Sequence, residues 1–201
     1  MLKYHQKEKM SDKKIILASV SSKRFEILTK SGLKFDVKPS QYEEDLNLKL
    51  KPKEMVVLFS KNKAIDVTEK CQNSIVIAAD TVITSNDKIY GKPHTKERAR
   101  QMLKELSGKT QVAMTGFTII DSDSRKTVSK VVETKLTFKN LSEKDIDRYL
   151  KMDKPFDKAG GFSTLDLGSV LIKKIEGDIC NIAGLPLTEV LDSLEDFGIT
   201  I

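Results

Sequence analysis

The sequence predicts a mixed α/β fold in which a twisted sheet is flanked by helices. The segment 74–84, SIVIAADTVIT, is β-branched and apolar almost throughout, which is typical of a central strand buried on both faces. An apolar run at 15–18 leads through a serine-rich loop into a helical pattern, and the segments 111–120 and 127–138 alternate like a long antiparallel pair. Because strands and helices are mixed rather than strictly alternating, we expect an α/β or α+β mixed sheet.

The first two helices follow from residues at their ends. The helix after the serine-rich loop is expected to stop at Gly32, a residue typical of helix ends. Pro52 begins the second helix, because its fixed φ suits the first helical position, and this helix is expected to run to about residue 70. Lys63 lies on the mostly apolar face of this helix. The other residues of that face are Val56, Phe59, Ser60 and Val67.

The second half of the chain supplies the remaining elements. Thr95 caps a helix whose apolar residues recur at helical spacing up to Gly108. Ser142 and Asp145 have the spacing of a capping box, before a helix that ends near residue 151. We also expect a turn at 86–87, a short return at 89–90, a loop rich in glycine and charge at 154–168, a strand at 169–175 and a closing helix at 186–197.

Length and composition fit one domain of enzyme size. The chain has 201 residues, 39% of them hydrophobic, and single domains mostly run about 100 to 200 residues. We expect a polar N-terminal tail at 1–13 and one catalytic domain at 14–201. No apolar run resembles a secretory signal or approaches the ~20 residues of a membrane span, so we expect a cytoplasmic protein without membrane contact. Cys71 and Cys180 lie too far apart in sequence to suggest a disulfide scaffold or a zinc site.

The net charge of +6 comes from 35 basic and 29 acidic residues, so the two signs are mixed. A cationic surface suits a polyanion, but solubility or a funnel for a phosphate ligand produces the same balance. We therefore expect no nucleic-acid partner. A nucleic-acid binder driven by the basic tail remains an alternative, and its affinity would fall steeply with salt.

Several common catalytic devices are missing from the sequence. Only His5 and His94 are available, the first in the tail and the second in a loop, so a nucleophile with a histidine base has few possible members. The glycine patterns of dinucleotide-binding folds and of the P-loop are also absent. Phosphate binding, if it occurs, uses another device.

Asp80 is the strongest single candidate for a catalytic or metal-binding residue. An ionised carboxylate in a buried strand is costly unless it is paired, protonated or bound to a metal. With the acidic cluster 43–45 it could form a magnesium site, since Mg²⁺ takes one or two carboxylates together with substrate phosphates. The plainer interpretation is an aspartate at the exposed end of its strand.

Cations suited to phosphate stand at three places. The loop 19–24 offers hydroxyls and the first amides of a helix, and Lys63 and Lys92 add two ammonium groups. The plainer interpretations are a serine-rich helix cap and a Lys63 that extends to water. The sequence thus offers carboxylates for a hard metal and several cations for phosphates, but no nucleophile with a base. This combination favours metal-assisted hydrolysis of a nucleotide-like phosphate ester or anhydride.

Ten short motifs follow one another in order across residues 15–197. They are ILASVSSKRFEIL at 16–28, EE at 43–44, KNKA at 61–64, AADT at 78–81, GKP at 91–93, MLKELSGKT at 102–110, TGF at 115–117, DKAGG at 157–161, KKIEGD at 173–178 and GLPL at 184–187. This series resembles the Maf family of nucleoside triphosphate pyrophosphatases.

The resemblance implies hydrolysis between the α- and β-phosphates with Mg²⁺ or Mn²⁺. It implies a fold similar to that of the inosine triphosphatases, a ligand cleft between two lobes, and a homodimer. By position, Asp80 would be the base and a metal-associated carboxylate, and Glu44 its metal-side partner. Five residues would hold the triphosphate: Ser19, Lys23, Arg24, Lys63 and Lys92.

Three positions bear on the base that is recognised. Thr81 is similar to the dTTP/UTP branch of the family, whereas the 7-methyl-GTP branch has glutamine there. Lys23 replaces an arginine, and Leu165 stands where the two branches carry glutamine or glutamate. Because only Thr81 agrees with a branch, we expect pyrimidine triphosphates, including modified ones. The alternatives are a 7-methyl-GTP-type pyrophosphatase and a non-catalytic nucleotide-binding module that regulates cell division.

Overall fold

The computed structural model describes residues 12–45, 48–85, 88–153, 155–163 and 167–200. Its strands are β1 (Lys14–Leu17), β2 (Phe35–Val37), β3 (Ser74–Ser85), β4 (Lys88–Tyr90), β5 (Thr110–Asp121), β6 (Thr127–Phe138) and β7 (Ile172–Glu176). Its helices are α1 (Ser22–Thr29), α2 (Pro52–Thr68), α3 (Lys96–Leu106), α4 (Glu143–Met152), α5 (Ile179–Ile182) and α6 (Leu187–Glu195). The strands form one mixed sheet in the order β2-β1-β3-β5-β6-β7, with β4 beside β3. The predicted mixed α/β fold is confirmed.

β3 is the central strand of the sheet, and it is buried at every position except Thr81, which is half-buried. One edge of β3 pairs with β5 over ten successive residues. The other edge pairs with β1 up to Ile77 and with β4 from Ile83. Within the described part of the chain, no strand pairs with this edge between Ile77 and Ile83. The sheet is therefore open beside Asp80 and Thr81.

The helices begin where the sequence predicts. Ser21, Thr95 and Ser142 each accept a hydrogen bond from a backbone N–H in the first turn of α1, α3 and α4. Pro52 is the first residue of α2. The predicted inner face of α2 is also confirmed, since four of its residues are buried against the sheet: Val56, Phe59, Ser60 and Val67.

The core lies on both faces of the sheet. On one face α2 covers β1, β3 and β5; on the other, α1 and α6 pack against the same strands. A further cluster joins α3 and α4 to the far ends of β5 and β6. The site described below lies where the loop after β1 crosses the open edge of β3.

Three differences from the sequence predictions have local causes. The predicted strand at 169–175 begins only at Ile172, because Leu167–Leu171 forms a 3₁₀ turn. β2 and α5 are missing from the prediction, because three and four residues are too short to show a period. The predicted turn at 86–87 and the first eleven tail residues lie outside the described residues. Within the predicted tail, Lys13 donates hydrogen bonds to Asp121 and Asp123.

None of the helices in the described ranges combines the length and the hydropathy needed to cross a membrane.

Candidate active site

The open edge of β3 collects polar side chains because β1 ends beside it. The N–H of Ala18 still donates to the carbonyl oxygen of Ile77 at 2.8 Å, and Ser19 then begins the loop that enters α1. β3 continues past this point, which places Asp80 and Thr81 next to that loop. Because successive side chains of a strand point to opposite faces, Asp80 faces α2 and Thr81 faces α1. β3 thus presents the carboxylate of Asp80 on one face of the sheet and the hydroxyl of Thr81 on the other.

On the α2 face, two carboxylates meet one ammonium group. Lys63 Nζ lies 2.7 Å from Asp80 Oδ1 and 2.5 Å from Glu44 Oε1. The side chains of Lys63 and Asp80 are only 14% and 11% exposed. The cost of burying the aspartate is therefore offset by an ion pair, and Lys63 does not extend to water. The structure brings these three predicted residues together.

On the α1 face, Arg24 is held by three hydrogen bonds. Its Nε donates to the carbonyl oxygen of Gly184 at 2.8 Å, and its two terminal nitrogens donate to Ser19 Oγ and Thr81 Oγ1, each at 3.3 Å. Burial lowers the pKa of Arg24, and the nearby carboxylates of Asp80 and Glu44 act in the opposite direction. Arg24 is therefore a half-buried cation beside the acidic pair, and its hydrogen bonds fix its position.

Three residues that the sequence does not single out complete this network. The carbonyl of Gly184 accepts from Arg24, and a Cβ at position 184 would come within 3.2 Å of Arg24 Nε. Thr115, which lies opposite Thr81 in the β3–β5 register, contacts its hydroxyl at 2.9 Å. Thr115 also donates to the carbonyl oxygen of Asn181 at 2.8 Å. A threonine in an otherwise buried strand is a sequence signal for Thr115, but the other two depend on the folded chain.

The other predicted site residues lie apart from these contacts. Lys23, in the first turn of α1, donates to Glu26 at 3.0 Å. Lys92 is exposed after β4, and its ammonium has no hydrogen bond or ion pair within the described residues. The roles assigned to both lysines stay predictions. Leu165, the third residue predicted to sort substrates, lies outside the described residues.

Gly116 brings α2 close enough for Lys63 to reach Asp80. It lies opposite Asp80 in the register of β3 and β5. A Cβ at this position would lie 2.4 Å from the carbonyl oxygen of Val56 in α2, closer than any real contact. A hydrogen bond of 3.0 Å between Ser60 and Thr118 joins the same two elements one turn further along. The position of Lys63 therefore depends on a glycine in β5, the strand paired with β3.

Glu44 and Asp80 have the chemistry expected of ligands for a hard divalent cation. They are carboxylates from separate segments, and both already converge on one positive charge. Among the described residues, no three acidic, histidine or cysteine side chains gather around one point. Mg²⁺ commonly takes one or two protein carboxylates and fills its other positions with water and phosphate oxygens. The residues therefore fit a metal that is shared with a phosphorylated ligand.

A surface groove of about 800 Å³ lies at the opposite end of the sheet, beside Lys14 and Ser74. Asp80 follows Ser74 by six positions in β3, a distance of about 20 Å along a strand. None of the residues at the open edge of β3 lines this groove. This groove therefore lies away from the place where the charged groups meet, and we assign the site by its chemistry.

Two carboxylates and a half-buried arginine beside the carboxyl end of a parallel strand define an α/β protein of the class that binds its ligands at the ends of the strands. The comparison with family models then makes the assignment specific. The model described as Maf-like protein matches residues 14–197. The chain belongs to the Maf family, as its motifs predict.

Curated relatives agree with this assignment. A "dTTP/UTP pyrophosphatase" of Methanococcoides burtonii is 43% identical over 94% of this chain and 97% of its own. Proteins with the same description from Thermosipho africanus and Bacillus cereus are 44% and 37% identical, over 92% and 100% of this chain and 94% and 98% of their own. Among solved structures, a HAM1 protein from Coxiella burnetii is similar over 63% of this chain and 73% of its own, with 15% identity and a TM-score of 0.42.

Proposed function

We propose that this protein is a nucleoside triphosphate pyrophosphatase that acts on pyrimidine nucleotides of the dTTP and UTP type. The observation that carries the proposal is the pair of carboxylates on Lys63, with Arg24 beside them. The relatives described as dTTP/UTP pyrophosphatases support the substrate class, since they match over nearly the whole chain. The expected products are the nucleoside monophosphate and pyrophosphate.

The reaction needs a base on one side of a phosphorus atom and positive charge on the other. The oxygen of water bonds to the α-phosphorus, and the bond from that phosphorus to the oxygen bridging to the β-phosphate breaks. The water loses one proton, and Asp80 is the proposed acceptor of that proton. Pyrophosphate leaves with the electron pair of the broken bond. Since Lys63 lies against Asp80, it is placed to interact with the negative charge that develops on the phosphate oxygens.

Ser19 and Arg24 retain donors for the phosphates. Ser19 Oγ accepts from the N–H of Ser21 at 3.2 Å and from Arg24 at 3.3 Å, which leaves its hydroxyl proton available. Three of the five N–H groups of Arg24 bond to Gly184, Ser19 and Thr81, so two remain for a ligand. Donors held rigidly before the ligand arrives lose little entropy on binding. This loop is therefore the proposed binding site for the phosphates, with Lys23 and Lys92 as further cations.

A divalent metal completes the proposal. Glu44 and Asp80 would hold Mg²⁺ or Mn²⁺, and the metal would supply positive charge to the triphosphate oxygens. The proposal also includes a cytoplasmic location, and a homodimer that rests on the family resemblance.

Release of pyrophosphate from a panel of triphosphates tests the proposed function. The panel contains UTP, dTTP, CTP, 5-methyl-UTP, 7-methyl-GTP and ITP, each with Mg²⁺ and with Mn²⁺. We expect UTP and dTTP to be hydrolysed at least tenfold more efficiently than 7-methyl-GTP. Turnover of 7-methyl-GTP alone would favour the other branch of the family, and binding without turnover would favour a nucleotide-sensing module.

Replacing Glu44 should weaken the binding of the metal rather than the chemical step. In Glu44→Gln the carboxylate that shares Lys63 with Asp80 loses its charge, so the Mn²⁺ concentration for half-maximal activity should rise by about tenfold. The kcat at saturating Mn²⁺ should stay within about threefold of the wild-type value. Glu43→Gln is the matched control, because Glu43 is the exposed neighbour and should leave the metal titration unchanged. An unchanged titration in Glu44→Gln would contradict the assignment.

A further inference from the structure

The hydroxyl of Thr81 already makes hydrogen bonds that fix which ligand group it can bind. It is half-buried and contacts Arg24 on one side and Thr115 on the other. Thr115 is fully buried, and its own hydroxyl contacts both Thr81 and the carbonyl oxygen of Asn181. These contacts determine the position of every hydroxyl proton in the chain of bonds.

The proton positions follow from which groups can donate. A carbonyl oxygen only accepts, so Thr115 must use its single proton on Asn181. Thr115 can then only accept from Thr81, and the proton of Thr81 points inward. A guanidinium only donates, so Arg24 occupies one acceptor site of Thr81. Among the contacts of the described residues, one acceptor site of the Thr81 hydroxyl remains, and this hydroxyl has no proton left to donate to a ligand.

Asn181 is held in place by its own side chain. Its Nδ2 donates to the carbonyl oxygen of Ala113 at 3.2 Å and to Thr134 Oγ1 at 3.0 Å. Thr134 in turn donates to the carbonyl oxygen of Asp178, which caps α5. Asn181 and Thr134 are fully buried. The carbonyl that takes the proton of Thr115 is therefore fixed by bonds to β5 and β6, and the direction of the whole chain is fixed with it.

We propose that Thr115 and Asn181 are positioning residues that make Thr81 a hydrogen-bond acceptor, so that it reads the imide N3–H of uracil or thymine. Carbonyl and phosphate oxygens of the ligand cannot bond to such a hydroxyl. Cytosine carries an unprotonated N3, which would leave two acceptors facing each other at that position. The inference rests on the proposed function, and it adds the chemical reason why a threonine at position 81 selects uracil and thymine over cytosine.

The selectivity of three proteins and three substrates tests this inference. We measure kcat/KM of the wild type, Thr115→Val and Thr115→Ser for UTP, CTP and 3-methyl-UTP. The wild type should prefer UTP over CTP by at least tenfold and should use 3-methyl-UTP poorly, because the donor is replaced by a methyl group. In Thr115→Val the proton of Thr81 is released toward the ligand, so the preference for UTP over CTP should fall by about tenfold, the size of one hydrogen bond. Thr115→Ser keeps the hydroxyl and should keep the wild-type preference.

The outcomes separate this inference from the proposed function. A wild-type protein that hydrolyses no triphosphate would overturn the function itself. Turnover of UTP together with use of 3-methyl-UTP within about threefold would overturn the inference alone, and this result needs no variant. The inference would also be overturned if folded Thr115→Val kept the wild-type preference for UTP over CTP, or if Thr115→Ser lost that preference. Either result would show that the packing of residue 115, rather than its hydroxyl, sets the preference. Thermal melting checks the folding of both variants.

Discussion

Asp80→Asn should lower kcat for UTP by about a thousandfold while the protein stays folded. A general base contributes about 10² to 10⁴ to rate, and the same carboxylate is one of two proposed metal ligands. Asparagine retains the shape and an oxygen that can accept from Lys63, but it removes the charge and the ability to accept a proton. Glu44 remains as a partner of Lys63 at 2.5 Å, so the buried ammonium is not left alone.

Pyrophosphate release under saturating UTP and Mn²⁺ measures this effect. Asp192→Asn is the matched control, because Asp192 is an exposed aspartate on α6 that is not part of the site. Its activity should equal that of the wild type. If Asp80→Asn kept more than a tenth of the wild-type kcat, Asp80 would not be the base. A loss of UTP binding together with activity would place its role in metal or substrate binding instead.

Gly116→Ala should produce the largest loss of stability. The added Cβ would lie 2.4 Å from the carbonyl oxygen and 2.5 Å from the carbonyl carbon of Val56, and both are backbone atoms that cannot rotate away. Overpacking a core commonly costs about 1–3 kcal/mol and occasionally more. For a chain of this size each kcal/mol lowers Tm by roughly 2–4 °C. We therefore expect Tm to fall by about 5–10 °C, and kcat/KM to fall with it because α2 carries Lys63.

Thermal unfolding followed by circular dichroism gives the comparison. Gly91→Ala is the control, since a Cβ there would meet nothing within 4 Å and the backbone is not in the left-handed region. Its Tm should equal or slightly exceed the wild-type value, because alanine restricts the unfolded chain. Equal Tm values for the two variants would show that α2 can shift away from β5 without cost. In that case the placement of Lys63 would not depend on Gly116.

Much of the fold was predictable because local patterns and packing agree. β3 is buried on both faces, and an apolar, β-branched segment indicates that environment before any neighbour is known. α2, α3 and α4 begin at a proline or at side chains that bond the first-turn amides, which are local effects. β2, α5 and the late start of β7 were not predictable, because short elements take their conformation from the sheet and turns they join.

Some residues of the candidate site were likewise predictable from the sequence, and others were not. A buried Asp80 needs a partner whatever the fold, so the sequence alone predicted an ion pair or a metal contact at this residue, and the apolar face of α2 indicated where Lys63 points. The folded chain is needed to show that Glu44 shares that lysine and that Thr115 links Thr81 to the carbonyl oxygen of Asn181. These pairs are joined across separate elements. Sequence periodicity reports how each side chain meets its own helix or strand, whereas hydrogen bonds between elements depend on how those elements pack.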